Sequence, residues 1–243
     1  MTGAEKTILA NLLDLAGARL GSGYAVRKSY EFEDDCPCQD TALDSLESIA
    51  CEVKACSSCK LCTTRKNAVA GEGVEHPLVL VIGEGPGADE DASGRPFVGK
   101  AGQLLDKMLG AVGLSRTKNC FIANIVKCRP PGNRDPEPDE INACITFLKR
   151  QITVLRPLAI LCAGRISTST LLETGEGISR LRGRWSRYMG IPLLPTFHPS
   201  YLLRDEAQKR PAWEDLKSLC KRISELDSAY ERETAGLRTT HGI

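Results

Sequence analysis

Apolar and polar positions change their rhythm along this chain near residue 56. From there on, short unbroken apolar runs alternate with stretches in which apolar residues recur every three or four positions. LVLVIG (78–83) is an apolar run that stops at glycine, as a strand buried on both faces does. Lys100–Val112 carries Leu104, Leu105, Met108 and Leu109 along one side and predicts a helix. CFIANIV (120–126) predicts a second strand, and Asp139–Leu155 a second helix with acidic residues in its first turn. LAILCA (158–163) and IPLLPTF (191–197) predict two more strands, and Lys209–Tyr230 a closing helix. Strands alternating with helices imply an α/β fold, here a three-layer α/β/α arrangement around a mostly parallel four-stranded sheet. Ligands of such sheets bind at the C-terminal strand ends. The predicted strands lead into GEGPG, NIVKC, CAGR and FHPSY.

Residues 1–55 follow another pattern. A helix is predicted near 5–20, then a Gly/Ser/acidic stretch through Asp40, then a helix near 41–55. EFEDDCPCQD is polar and turn-rich, as a linker is. The expected organisation is an accessory extension over 1–52, a main domain over 53–232 and a disordered tail over 233–243. At 243 residues and 42% hydrophobic, the chain suffices for one domain with a sizeable core. No apolar run reaches the roughly 18–20 residues that span a bilayer. The N-terminus has no basic n-region or cleavage site, and Asp14 interrupts its apolar stretch. An amphipathic helix and a cytoplasmic location are therefore expected. Residues 1–55 hold 10 acidic and 5 basic side chains, a net of −5, against +6 in the remainder. A mildly basic body suits a polyanionic partner, although on charge alone ordinary scatter is the better reading.

Eleven cysteines stand beside three histidines, His76, His198 and His241. Disulfides are disfavoured in a reducing compartment, so ligation or catalysis comes into question. Cys56-Ser-Ser-Cys59 is a C-x2-C pair, Cys128 directly follows the second strand, and Cys144 lies within the next helix. Four thiolates at one centre suit a [4Fe–4S] cluster or a structural Zn2+, while the spacing equally admits packed core thiols at Cys128 and Cys144. Cys51, Cys56 and Cys59 also have the C-x4-C-x2-C spacing of plant-type [2Fe–2S] ferredoxins, and Cys62 adds a further local ligand. Cys120, Cys162 and Cys220 fall in apolar segments and read as core. Cys36 and Cys38 form a C-P-C in the linker with no assignable role.

Gly83-Glu84-Gly85-Pro86-Gly87 lacks the G-x-G-x-x-G pattern of a dinucleotide loop, but it permits a tight turn whose N–H groups approach a planar ligand. Taken alone, such a glycine-rich turn is usually just a turn. Phe97 sits just ahead of a helix, where a phenylalanine can stack on a base or act as a hydrophobic staple. Asn124 ends an otherwise apolar strand and offers a donor and an acceptor together. His198 is followed by apolar Tyr201, Leu202 and Leu203, expected in a loop, where exposure is costly unless they insert somewhere.

Taken together, these segments resemble the family 4 uracil-DNA glycosylases of bacterial and archaeal type. The match is close over GEGPGADEDASGRPFVGKAGQLLDKML, NIVKCRPPGNRDP, LRGRW and TFHPSYLLR, extends over residues 53–225 and leaves 1–50 outside. The resemblance implies that Cys56, Cys59, Cys128 and Cys144 ligate a structural [4Fe–4S] cluster, with Cys51 and Cys62 as bystanders. It implies that Gly83, Glu84 and Gly85 line a uracil pocket and its water site, that Glu90 borders the pocket and that Phe97 stacks on uracil. Asn124 would read the polar edge of the base, and His198 would donate to its O2. Tyr201, Leu202 and Leu203 would form the loop that enters the duplex, and Arg204 and Arg134 would contact DNA. Lys127, Arg129, Arg182 and Arg184 are further candidates for phosphate contact. Glu84 is the candidate to orient the water, since Gly85 stands where a related family has an aspartate. The stretch Pro130–Pro136 carries no histidine-bearing basic insert, which implies turnover rather than covalent trapping of the base.

The expected activity is hydrolysis of the N-glycosidic bond of a flipped uracil by a monomer acting on single- or double-stranded DNA away from any membrane. The N-terminal extension would be free to meet a repair or replication partner. Two rival readings are a non-catalytic nucleic-acid-binding module of the same fold and an electron carrier using the local cysteines.

Overall fold

The structure, a computed structural model, describes residues 44–230 and residue 232. The expected helix near 5–20, the acidic linker and the tail over 233–243 lie outside the described residues. One sheet is built from β1 (Glu72–Gly73), β2 (Val79–Gly83), β3 (Cys120–Asn124), β4 (Ala159–Ala163), β5 (Ser186–Tyr188) and β6 (Ile191–Thr196). Its order is β1-β3-β2-β4-β6-β5. The four inner strands are parallel, and β1 and β5 add antiparallel edges. The sheet is thus six-stranded and mixed rather than four-stranded. The additional strands are only two and three residues long, too short to show an alternating pattern in sequence.

The inner strands β2, β3 and β4 are buried along their whole length, which is why they read as unbroken apolar runs. Successive residues still face opposite ways. Leu80 and Ile82 enter one core with Ile49, Val53, Leu148 and Ile152. Val79 and Val81 enter another with Leu105, Leu109, Leu216 and Leu219. Helices α1 (Leu46–Ala55) and α4 (Pro138–Leu155) cover the first face. Helices α3 (Lys100–Ala111) and α8 (Lys209–Leu226) cover the second. Shorter helices α2 (Ala88–Ser93), α5 (Arg165–Leu172), α6 (Ile178–Leu181) and α7 (Pro199–Arg204) follow strand ends or loops.

Local chemistry sets these helix ends. Helix α4 starts with Pro138 at its first position, and Glu140 reaches back to accept the Glu137 N–H at 2.7 Å. It stops at Arg156, left-handed at φ 46°, ahead of Pro157. Helix α1 is capped reciprocally, Ser48 N–H to Ser45 Oγ at 3.1 Å and Ser45 N–H to Ser48 Oγ at 3.0 Å. Arg150 of α4 holds both Asp44 and Glu52 beside α1. Residue 53, the expected start of the main domain, lies inside α1, whose Ile49 and Val53 are core. No helix among the described residues is long and apolar enough to cross a membrane.

β2 and β4 are neighbours in the sheet, and the connection leaving β2 runs one way to β3 while the connection leaving β4 runs the other way toward β5 and β6, which opens a crevice at the strand ends. The approach of α3 to the loop before it is close at that end. A Cβ on Gly102 would lie 1.9 Å from the Phe97 carbonyl oxygen, so only glycine lets the helix seat against Phe97. Gly102→Ala should cost about 1–3 kcal/mol through forced displacement of that loop. Urea unfolding of the variant beside the wild type measures this loss.

Candidate active site

Loops after all four parallel strands converge on one hollow of about 570 Å³. It is lined among others by Glu84 and Gly85 after β2, Asn124 at the end of β3, Gly164 and Arg165 after β4, and His198 after β6. Gly83 and Asn124 are register partners in the parallel ladder. A Cβ on Gly83 would come within 2.4 Å of Asn124 Oδ1 and 2.5 Å of Phe97 Cζ. The glycine thus lets a carboxamide and an aromatic ring meet over bare main chain. Phe97 reaches this place with φ 51°, and its ring centroid stands 5.6 Å from that of His198.

Asn124 is only 2% exposed, and its Oδ1 is buried with no hydrogen-bond partner. Buried acceptors are ordinarily satisfied, because desolvation without a partner is costly. Asn124 lines the hollow, so this unpartnered polar side chain stands in its wall. His198 caps α7, and its Nδ1 accepts the Ser200 N–H at 3.1 Å with Ser200 Oγ at 2.7 Å. In the neutral ring this leaves the proton on Nε2 as a donor. Burial, with a smaller push from Arg204, lowers the His198 pKa to about 4, so the neutral tautomer is the working form. Half-buried Glu84 moves the other way: desolvation, aided by Asp135 and opposed by Arg165, raises it to about 7.

Glu90 lines the hollow too, but its carboxylate is committed to main chain. Oε1 accepts the N–H groups of Val98 and Gly99 at 2.8 and 2.9 Å, and Oε2 accepts that of Gly87 at 3.1 Å. It is a clamp that shapes the loop carrying Phe97.

The segment after His198 is the helix α7 rather than a loop, because Pro199 at the first position and the His198 cap start it. That changes which side chains are available. Leu202 is 1% exposed and packs with Phe197 and Ala212, so it is not the residue poised to enter a duplex. Leu203 is 44% exposed, Tyr201 is partly buried with its hydroxyl on Asp205 at 3.2 Å, and Arg204 is exposed at the rim. Several expected phosphate contacts turn inward. Lys127 is 1% exposed. Arg182 binds buried Asp215, which also accepts from Thr196 Oγ1 at 2.7 Å. Arg134 is paired bidentately with buried Glu140 at 2.9 and 2.6 Å. Arg129 bonds Asn133 at 2.8 Å, and Arg184 stays exposed.

Residues without an assigned role in sequence also belong here. Arg165 and Asp135 form an ion pair beside Glu84, and Ser200 fixes the His198 ring. The signals that could have found them are the strand-end position of CAGR for Arg165 and, for Ser200, a proline directly after His198 that starts a helix.

Cys56, Cys59, Cys62, Cys128 and Cys144 line a second, smaller hollow beside α1 and α4. Exposed Cys51 lies outside it, which separates this set from the C-x4-C-x2-C reading. Cys120, Cys162 and Cys220 are buried in the cores. Arg65 donates to Cys128 Sγ at 3.0 Å and the Lys127 N–H to Cys144 Sγ at 3.2 Å, as donors around ligating thiolates do. Burial raises the free thiol of Cys144 to about 11 and shifts that of Cys128 upward. Among the described residues, no three His, Cys, Asp or Glu side chains gather as ligands of a single ion. The thiols instead ring a space.

The class these features define is an α/β domain with a hollow at its parallel strand ends, walled by an aromatic ring and holding an unpartnered amide oxygen, a shape that suits a planar ring. The sequence profile of the Uracil DNA glycosylase superfamily matches residues 70–217. The chain is 44% identical over 191 residues to the Type-4 uracil-DNA glycosylase of Saccharolobus solfataricus, covering 75% of this chain and 88% of that one. It is 44% identical to that of Sulfurisphaera tokodaii (73% and 84% covered) and 40% identical to that of Thermotoga maritima (73% and 94% covered). The chain belongs to the type-4 family within the uracil-DNA glycosylase superfamily.

The depressed pKa of His198 has a direct consequence. Between pH 6.5 and about 4 the unfolded histidine binds a proton that the folded one refuses, so stability falls as pH falls through that window. Imidazole NMR signals of His198 should titrate near pH 4 and report the Nε2–H tautomer throughout neutral pH.

Proposed function

We propose that the chain excises uracil from DNA by hydrolysing its N-glycosidic bond, with Asn124 reading the base and His198 stabilising the departing ring. The observation that carries this is the orphaned, buried Oδ1 of Asn124 beside a histidine of fixed tautomer. Uracil presents N3–H and O4 side by side, and a carboxamide answers with Oδ1 and Nδ2. Cytosine has no N3–H and carries a donor at position 4, so both contacts fail. Phe97 offers its face to the flipped ring, and the glycines of GEGPG let main chain lie close to it.

As the C1′–N1 bond breaks, its electron pair moves onto the uracil ring and charge gathers at O2. The Nε2–H of neutral His198 donates there without releasing its proton, as a preorganised donor in a dry site does. Water adds to C1′, and its proton passes to the Glu84 carboxylate. Glu84 must be ionised for this, and its raised pKa places the transition near neutrality. Exposed Leu203, next in sequence to the rim residue Arg204, is the side chain that fills the gap left in the stack in place of buried Leu202, with Arg204 facing phosphate.

The cysteine-lined hollow suits a [4Fe–4S] cluster held by Cys56, Cys59, Cys128 and Cys144, supported by its five thiols and the donors aimed at two of them. When bound, such a cluster supplies a structural cross-link, since hydrolysis moves no electrons. It would join the segment ahead of β1 to the loop between β3 and α4.

Incubation with an oligonucleotide carrying one uracil, followed by alkali, should give cleavage at that position. His198→Ala should lose about 2–4 kcal/mol of transition-state stabilisation, read from kcat/KM. Asn124→Asp should relax the preference for uracil over cytosine; full retention of that preference would overturn the role of Asn124. Activity should fall by about tenfold per pH unit below pH 7, and Glu84→Gln should lower the rate and flatten that limb. Raising salt should weaken DNA binding steeply.

A further inference from the structure

Lys127 lies three residues after Asn124 and one before Cys128, and the reading of this pocket leaves it no contact with DNA. Its side chain turns back into the domain, 1% exposed, and ends between two neutral oxygens. Nζ donates to the Asn124 main-chain carbonyl at 3.0 Å and to Gln151 Oε1 at 2.7 Å. Gln151, buried on α4, donates its Nε2 to the Ala70 carbonyl at 2.8 Å. The Lys127 main chain is held as well: its N–H on Cys144 Sγ at 3.2 Å and its carbonyl on the Val69 N–H at 2.7 Å.

An ammonium is costly to bury and is retained only where its donors are satisfied. Here it meets the main chain of Asn124, whose own carboxamide oxygen is buried without a hydrogen-bond partner at the wall of the hollow. We propose that Lys127 is a positioning residue for base reading. Its ammonium fixes the main chain of Asn124, and Gln151 fixes the ammonium, so that the unpartnered carboxamide oxygen keeps its place while no base is bound. The inference rests on the pocket being the uracil site, and it assigns Lys127 no contact with substrate.

The experiment uses the iron-loaded wild type with Lys127→Met and Gln151→Met. Methionine keeps the length of lysine but leaves the Asn124 carbonyl and Gln151 Oε1 unpaired. Three quantities are read: iron per chain, inhibition of excision by free uracil, and the side-chain amide NMR signals of Asn124 with and without uracil. With iron content unchanged, the inhibition constant for uracil should rise about tenfold in Lys127→Met, as expected when buried groups lose their partners. The Asn124 amide signals should broaden or split, and the acid limb set by Glu84 should stay in place. Gln151→Met should shift the same quantities in the same direction. Unchanged uracil inhibition in either iron-loaded variant overturns the proposal. If Lys127→Met fails to fold or to take up iron, Gln151→Met, which leaves the lysine and every cysteine in place, decides by the same criterion. A wild type that neither excises nor binds uracil removes the pocket reading itself. A wild type that excises while both variants bind uracil normally removes only the role of Lys127.

Discussion

The parallel pairing of Gly83 with Asn124 at the ends of β2 and β3 is the constraint on which the site depends. The ladder sets the carboxamide beside a residue with no side chain, and Phe97 closes over the same gap. Any Cβ at Gly83 would collide with both. The register therefore creates the slot, and the missing methyl group keeps it open. The crevice opened where the connections of β2 and β4 diverge then lets loops from β4 and β6 supply the remaining walls.

Within that slot a single physical cause acts on two titratable groups. Desolvation penalises charge, so it raises Glu84 and lowers His198. The histidine is thereby held neutral well below the range in which a free imidazole titrates, while the carboxylate changes state near neutrality. Neighbours refine the effect: the Arg165–Asp135 pair bears on Glu84, and Ser200 selects the imidazole tautomer. Arrangements that push an acid and a base toward their neutral forms in one dry hollow are common where proton positions matter.

Much of the surrounding polar chemistry serves to hold main chain still. Glu90 gathers three N–H groups of the Phe97 loop, Asp215 joins Arg182 to Thr196, and Lys127 faces Asn124 from behind. These are charged residues that composition alone would place on the surface. Lys127 and Asp215 are buried and Glu90 and Arg182 partly so, in keeping with a pocket that holds an unsatisfied acceptor in place without a ligand to help. Helix α1 adds to the same end, because its apolar face completes the core under the cysteine-lined hollow.

The order and type of the long elements were legible in the amino-acid sequence, because buried strands and amphipathic helices impose periods that survive without coordinates. The motifs at strand ends were legible for the same reason, and they named Glu84, Asn124, Phe97 and His198 together. Tertiary structure alone decided what each side chain does there. It turned Leu202, Lys127 and Arg182 inward and left Leu203 outside, since a helix start at Pro199 and partners distant in sequence fix those directions. It also added the two short edge strands and committed Glu90 to main-chain N–H groups. A local pattern encodes which face of an element is apolar; only packing determines which polar atom finds a partner and which one, at Asn124, is left without.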